Sequence, residues 1–276
     1  MKRLLFFLTL TFASLATYAT GQEGDVIFID GVQWILLDKP VYSDSALSHA
    51  LEAALPEGRG VNTANWAGYT AYWSIRQEKL FLDSIQYEVY DDTSAKKFRT
   101  ERLSSDILLR VFNKYAEGEC IVAKWLNRDI RAAKGKMLYY VHSEYHRNYE
   151  NERIISIAQG EVCDTKEYQN YVVDGFSFDN CSAKELREKF PLHIERYPEL
   201  ADVKRVVFKI EKASVDAQGN LVECKVRVMK PGSNERLAAE MERAMKACRP
   251  WRVMFINGQY RSYGIEGYYV PYALEE

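Results

Sequence analysis

The chain has 276 residues, with 37 Lys and Arg against 39 Asp and Glu and a formal charge of −2. This near balance excludes the basic footprint of a nucleic-acid binder. The hydrophobic share of 47% is ordinary for a globular protein, and 19 Tyr, 12 Phe and 5 Trp lean toward β structure.

Lys2 and Arg3 precede a mostly apolar run from Leu4 to Ala16, followed by small-residue patterns at Ser14-Leu15-Ala16 and Thr17-Tyr18-Ala19. That is the layout of a secretory signal peptide over residues 1–19. A spanning helix wants about 20 strongly apolar residues. This run is shorter and is interrupted by Thr9, Thr11 and Ser14. The expectation is a secreted chain of about 257 residues, enough for one or two domains, with no membrane span. Without Lys2 and Arg3, 35 basic residues face 39 acidic ones, a formal charge of −4.

Residues 25–175 read as one β-rich module. Val26 to Ile29 and Val32 to Leu37 flank Asp30-Gly31, a hairpin signal. Ser43 to Leu55 has helical spacing and stops at Pro56-Glu57-Gly58. Gly68 to Ile75 and Lys79 to Tyr90 alternate as strands do, and Ser104 to Tyr115 reads as a second helix. Short strands are expected at Cys120–Leu126, Asp129–Ala133, Met137–Val141, Glu152–Ile157 and Glu161–Tyr168. The reading is an antiparallel meander with two helices packed on one face.

The pattern changes near residue 175, and a second domain is expected over 182–276. Ser182 to Glu185 is a capping box that starts a short helix, ended by Pro191. Arg205 to Lys212 and Leu221 to Val228 alternate around an Asp216–Asn220 turn. Pro231 to Asn234 breaks the second strand and supplies an N-cap. The helix Glu235–Cys248 carries Leu237, Ala238, Met241, Ala244, Met245 and Cys248 on one stripe. Val253 to Ile256, a turn at Asn257-Gly258 and a last strand from Tyr263 to Tyr272 complete a β-β-α-β order. The expected fold class is α+β throughout.

Residues 190–274 resemble the TonB C-terminal domain family. The resemblance rests on Tyr197-Pro198, the Gly219 turn, Gly232-Ser233-Asn234 before the helix, Trp251 after it, Asn257-Gly258, and the ending Val270-Pro271-Tyr272. It covers about a third of the chain and implies a periplasmic location in a Gram-negative envelope. It also implies non-enzymatic binding, by strand addition, of an outer-membrane receptor, another envelope protein or an extended peptide. A second copy of the chain is a further partner for an open edge. Where the family carries a membrane anchor and a Pro-rich spacer, a cleaved signal and a folded module are expected here, which puts the energy-transducing role in doubt. A transducer that retains its N-terminal segment as anchor is the alternative reading. An envelope hydrolase is a third. The first module, with GYTAYWSI before EKLFL, resembles only an uncharacterised β-rich module of secreted bacterial proteins.

No cofactor or metal is expected. His142 and His146 have a helical ligand spacing, but they follow a strand and precede a turn. Asp83, Glu88, Asp91 and Asp92 read as a wet strand face. Trp66, Tyr69, Tyr72 and Trp73 offer either a stacking surface for sugar or peptide or core packing, with Tyr69 and Trp73 on one side. Five cysteines leave an odd thiol. Cys224 and Cys248 face the same helix–sheet layer, so a bridge between them is expected, and Cys163 with Cys181 is a second candidate pair. Cys120 reads as a buried thiol.

Overall fold

The computed structural model describes residues 21–94, 97–179 and 181–274. The expected signal peptide, residues 1–19, lies outside the described residues. In chain order the elements are β1 (Asp25–Ile29), β2 (Val32–Leu36), α1 (Ser45–Ala54), β3 (Thr70–Arg76), β4 (Lys79–Tyr90), β5 (Phe98–Arg102) and α2 (Ser105–Val111). They continue with β6 (Ala116–Glu117), β7 (Cys120–Val122), β8 (Asn127–Tyr140), β9 (Arg147–Ala158), β10 (Glu161–Gln169) and β11 (Tyr171–Val173). The chain then forms α3 (Ala183–Lys189), β12 (Arg205–Val215), β13 (Leu221–Lys230), α4 (Glu235–Ala247), β14 (Val253–Ile256), β15 (Gln259–Ser262) and β16 (Tyr269–Ala273).

Sixteen strands against four α-helices among the described residues correct the α+β expectation: the protein is mostly β. The first module is also no meander. β1 pairs with β2 antiparallel and with β3 in parallel, Ile27 lying opposite Trp73. The sheet runs β10-β9-β8-β2-β1-β3-β4-β7-β6, with β5 on β4. It closes where Glu161 of β10 meets Lys79 of β4. The Leu80 amide donates to the Gly160 carbonyl at 2.8 Å, and the Val162 amide to that of Glu78 at 2.8 Å. A closed sheet removes two edges that would otherwise be open to other chains. Its core holds Trp73, Ile27, Leu36, Leu80, Ile130 and Ile155 from the strands. Leu51 of α1 and Phe112, just after α2, complete it.

A buried ion pair sits at the start of β1. Lys39 Nζ donates to Asp25 Oδ1 at 2.9 Å and to the Tyr69 carbonyl at 2.8 Å. The Ala71 amide and Trp73 Nε1 supply the carboxylate's other donors, both at 3.0 Å. Burial pushes the Asp25 carboxyl above its ordinary range, and Lys39, Trp73 and Ala71 pull it only part of the way back. Every oxygen of this carboxylate is engaged, the condition under which a buried charge is tolerated.

The second core begins earlier than residue 182: Val173, Phe176 and Phe178 already belong to it. The sheet order β13-β12-β16 agrees with the hairpin read from the sequence. The chain after α4 does not go straight to that sheet. β14 pairs with β11 and with β15, forming a separate three-stranded sheet. The expected strand Tyr263–Tyr272 is interrupted at Gly264 and Gly267, which adopt φ of +63° and +79°. Such backbone is accessible to glycine and ends a strand. Asn170 joins the two halves: its Nδ2 donates to the Tyr149 carbonyl at 2.8 Å and its Oδ1 accepts from the Asn257 amide at 2.9 Å. Among the described residues no helix is long and apolar enough to cross a membrane.

Candidate functional site: a basic groove beside helix α4

Helix α4 has two working faces. Leu237, Met241 and Met245 are fully buried against the β12–β13–β16 sheet. One step round the helix, Glu240, Ala244 and Ala247 recur at the three-to-four spacing that aligns side chains on one face. The two alanines leave room there, and the chain following α3 forms the opposite wall. Pro191 ends α3, and Phe190 is anchored through its carbonyl, which accepts from Tyr272 Oη at 2.9 Å. The result is a groove of about 610 Å³ between α4 and residues 188–196.

Glu240 organises the wall. Only 7% exposed, it accepts from Tyr197 Oη at 2.6 Å and from the His193 amide at 2.7 Å. His193 Nδ1 lies 2.7 Å from the same oxygen as the amide. Burial pulls the Glu240 carboxyl upward, but these hydrogen bonds outweigh it and hold the group at about 2. Tyr197 shows the complementary effect: burial and then the Glu240 carboxylate push its phenol up to about 12.

Lys189, Arg196, Arg243 and Arg249 line the same groove. All four are exposed. Among the described residues none of them has a carboxylate at ion-pair distance. The one buried carboxylate is spent on Tyr197 and His193, which leaves Glu188 as the only other acidic group in the lining. The groove is therefore a concave surface with an excess of unpaired positive charge, which concentrates anions.

Six of the positions that carry the family resemblance fall in three places. Tyr197 supports the groove wall, and Pro198 opens the short helical turn after it. Gly219 and Trp251 meet elsewhere: the Trp251 amide donates to the Gly219 carbonyl at 2.8 Å, and a Cβ on Gly219 would lie 2.6 Å from the Trp251 carbonyl oxygen. Trp251 is fully buried, stacked on Phe190, with Nε1 donating to the Met245 carbonyl at 3.0 Å. Asn257 and Gly258 turn β14 into β15.

Both expected disulfides are corrected: all five cysteines are free. Cys224 meets the last turn of α4, its Sγ 3.9 Å from Met245 Sδ, whereas Cys248 sits at the C-cap in the groove lining. Burial pushes the Cys224 thiol up to about 12. Cys163 is exposed on β10, and Cys181 precedes α3. Cys120 is exposed rather than buried.

The other candidates separate by burial. His142 and His146 lie in the turn between β8 and β9, where His142 Nδ1 meets Tyr140 Oη at 2.8 Å. Asp83 pairs with Arg76 on the surface, and Asp91 caps the turn after β4. Tyr69 and Trp73 are core, while Trp66 is 69% exposed. Sequence reasoning missed Glu240, His193 and the four cations. On a helix whose stripe is Leu237-Met241-Met245, Arg236, Glu240 and Arg243 read as a solvated face. The one available signal was that Glu240 adjoins the stripe.

The sheet edges bear on strand addition. β16 is an edge strand carrying Pro271, which has no amide to donate. On the opposite edge strand, β13, the Val226 amide is taken by Glu242 of α4 at 2.8 Å. Compared with family models, curated proteins and solved structures, the chain shows no match.

Proposed function

We propose that this is a secreted periplasmic binding protein, without catalysis of its own, that captures an acidic extended segment of an envelope partner in the α4 groove. The observation that carries this reading is the convergence of Lys189, Arg196, Arg243 and Arg249 on one concave surface, where they outnumber the carboxylates Glu188 and Glu240 and none of the four makes an ion pair among the described residues. The signal-peptide layout of residues 1–19 supports export. The resemblance of residues 190–274 to the TonB C-terminal domain family supports a protein partner in the envelope. The blunted edges at Pro271 and Val226 favour the groove over strand addition to either edge. Glu240, with its contacts filled and its acidity near 2, is poorly matched to proton transfer at neutral pH.

The test is fluorescence anisotropy with residues 21–276 and a labelled ten-residue poly-glutamate probe. Saturable binding that weakens with salt is expected. Arg196→Ala with Arg243→Ala should weaken it at least tenfold, a change of about 1.4 kcal/mol. Binding that ignores this double substitution would remove the groove from the function. Tighter binding to phosphatidylglycerol vesicles than to the peptide would replace the protein partner with a lipid surface.

A further inference from the structure

The first module holds a second concavity unrelated to the groove. A cleft of about 280 Å³ lies on the outer face of β3, β4 and β5, under the loop of residues 60–68. β3 contributes Thr70 and Tyr72, and β4 contributes Gln86 and Glu88. Register places Thr70 opposite Gln86, so these side chains share one face. The loop is pinned from both sides: the Gly60 amide donates to the Glu88 carbonyl at 2.7 Å, and the Glu23 amide to that of Ala64 at 2.7 Å.

The chemistry of the lining is specific. No Lys, Arg or His is among its residues, so it does not suit an anion. Asn65 has a buried Oδ1 with no hydrogen-bond partner, a condition that native structures rarely leave unanswered. Asn62 uses its Oδ1 on the Ala64 and Asn65 amides at 2.8 and 2.9 Å, which leaves its amide N–H groups to donate. Gln86 both donates and accepts. Glu23 and Glu88 add carboxylates to the lining, and a cation that used them would leave the Asn62 and Gln86 N–H groups without an acceptor. Vicinal hydroxyls donate and accept together and match both. Trp66, 69% exposed, follows Asn65 in the chain but lies outside the lining.

We infer that this cleft binds a neutral saccharide of one or two rings, held by Asn62, Asn65 and Gln86. The volume is just under the range of about 300–1,000 Å³ typical of small-ligand pockets, which fits one ring better than a long chain. The inference does not rest on the α4 groove.

Calorimetric titration of residues 21–276 with glucose, N-acetylglucosamine and its β-1,4-linked dimer, up to about 10 mM, tests it. Saturable heat is expected for at least one probe. Gln86→Ala and Asn65→Ala should each weaken it about fivefold or more, the loss of a hydrogen bond, with unchanged circular dichroism. Arg196→Ala with Arg243→Ala should leave it intact. Absence of saturable heat for all three sugars, or displacement of the bound sugar by putrescine, would overturn the inference.

Discussion

The phenol of Tyr197 donates to the carboxylate of Glu240 at 2.6 Å, joining the turn after α3 to a buried position on α4. A charge-assisted hydrogen bond in this setting is worth about 1.5–3 kcal/mol. Tyr197→Phe keeps the ring and removes the donor, so it should lower stability by that amount. Urea unfolding measures the difference. The His193 contacts on the other oxygen should keep the groove closed at its base. A stability change below about 0.5 kcal/mol would mean that water replaces the phenol at no cost.

The same carboxylate predicts a pH dependence. Its folded acidity, about 2, lies below its ordinary value of 4.5. A group depressed in this way stabilises the fold above its unfolded value, and that contribution is lost as pH falls toward the folded one. Stability should therefore decline between about pH 4.5 and pH 2. Glu240→Gln should be less stable at pH 7, and the gap to the parent should narrow as pH falls through that window. Parallel curves for the two proteins would disprove the assignment.

Lys39 and Asp25 make a different prediction, because both are buried and each satisfies the other. Lys39→Met strands a carboxylate in the core and should cost about 3–5 kcal/mol. Asp25→Asn in the same protein removes the stranded charge, while its side-chain oxygen still accepts from a neighbouring donor. The double variant should recover a large part of the loss. Additive effects in this double-mutant cycle, read by urea midpoint, would show that the pair is uncoupled.

Trp251 ties the strand after α4 to residues on both sides of α3. It packs edge-on against Phe176 and stacks on Phe190. Trp251→Ala should cost about 3–5 kcal/mol. Protection of the β11–β14 amides against hydrogen exchange should fall with it, since Phe176 and Trp251 bridge the backbones there.

Local features of this chain were legible without coordinates. β4 spans Lys79–Tyr90 and β14 spans Val253–Ile256, as their alternation and turns predict, and α4 starts from Asn234 as its cap. The Ser182–Glu185 capping box forms in full. Each depends on period and capping within a dozen residues, which the side chains themselves specify. Partner choice between strands is of another kind. Nothing in the sequence of β1 states that β3 will lie parallel to it, that β10 will close onto β4, or that β14 will leave for β11. Those pairings arise because apolar faces with the same period of two compete for neighbours, and only the packed core selects among them. The groove follows the same rule. Its cations and Glu240 lie on segments more than forty residues apart, and each looks like ordinary solvated surface until the fold brings α4 against the Tyr197 turn. Sequence periodicity thus determined the elements and the compartment expectation, while tertiary packing decided the closed sheet, the unpaired thiols and the charged groove.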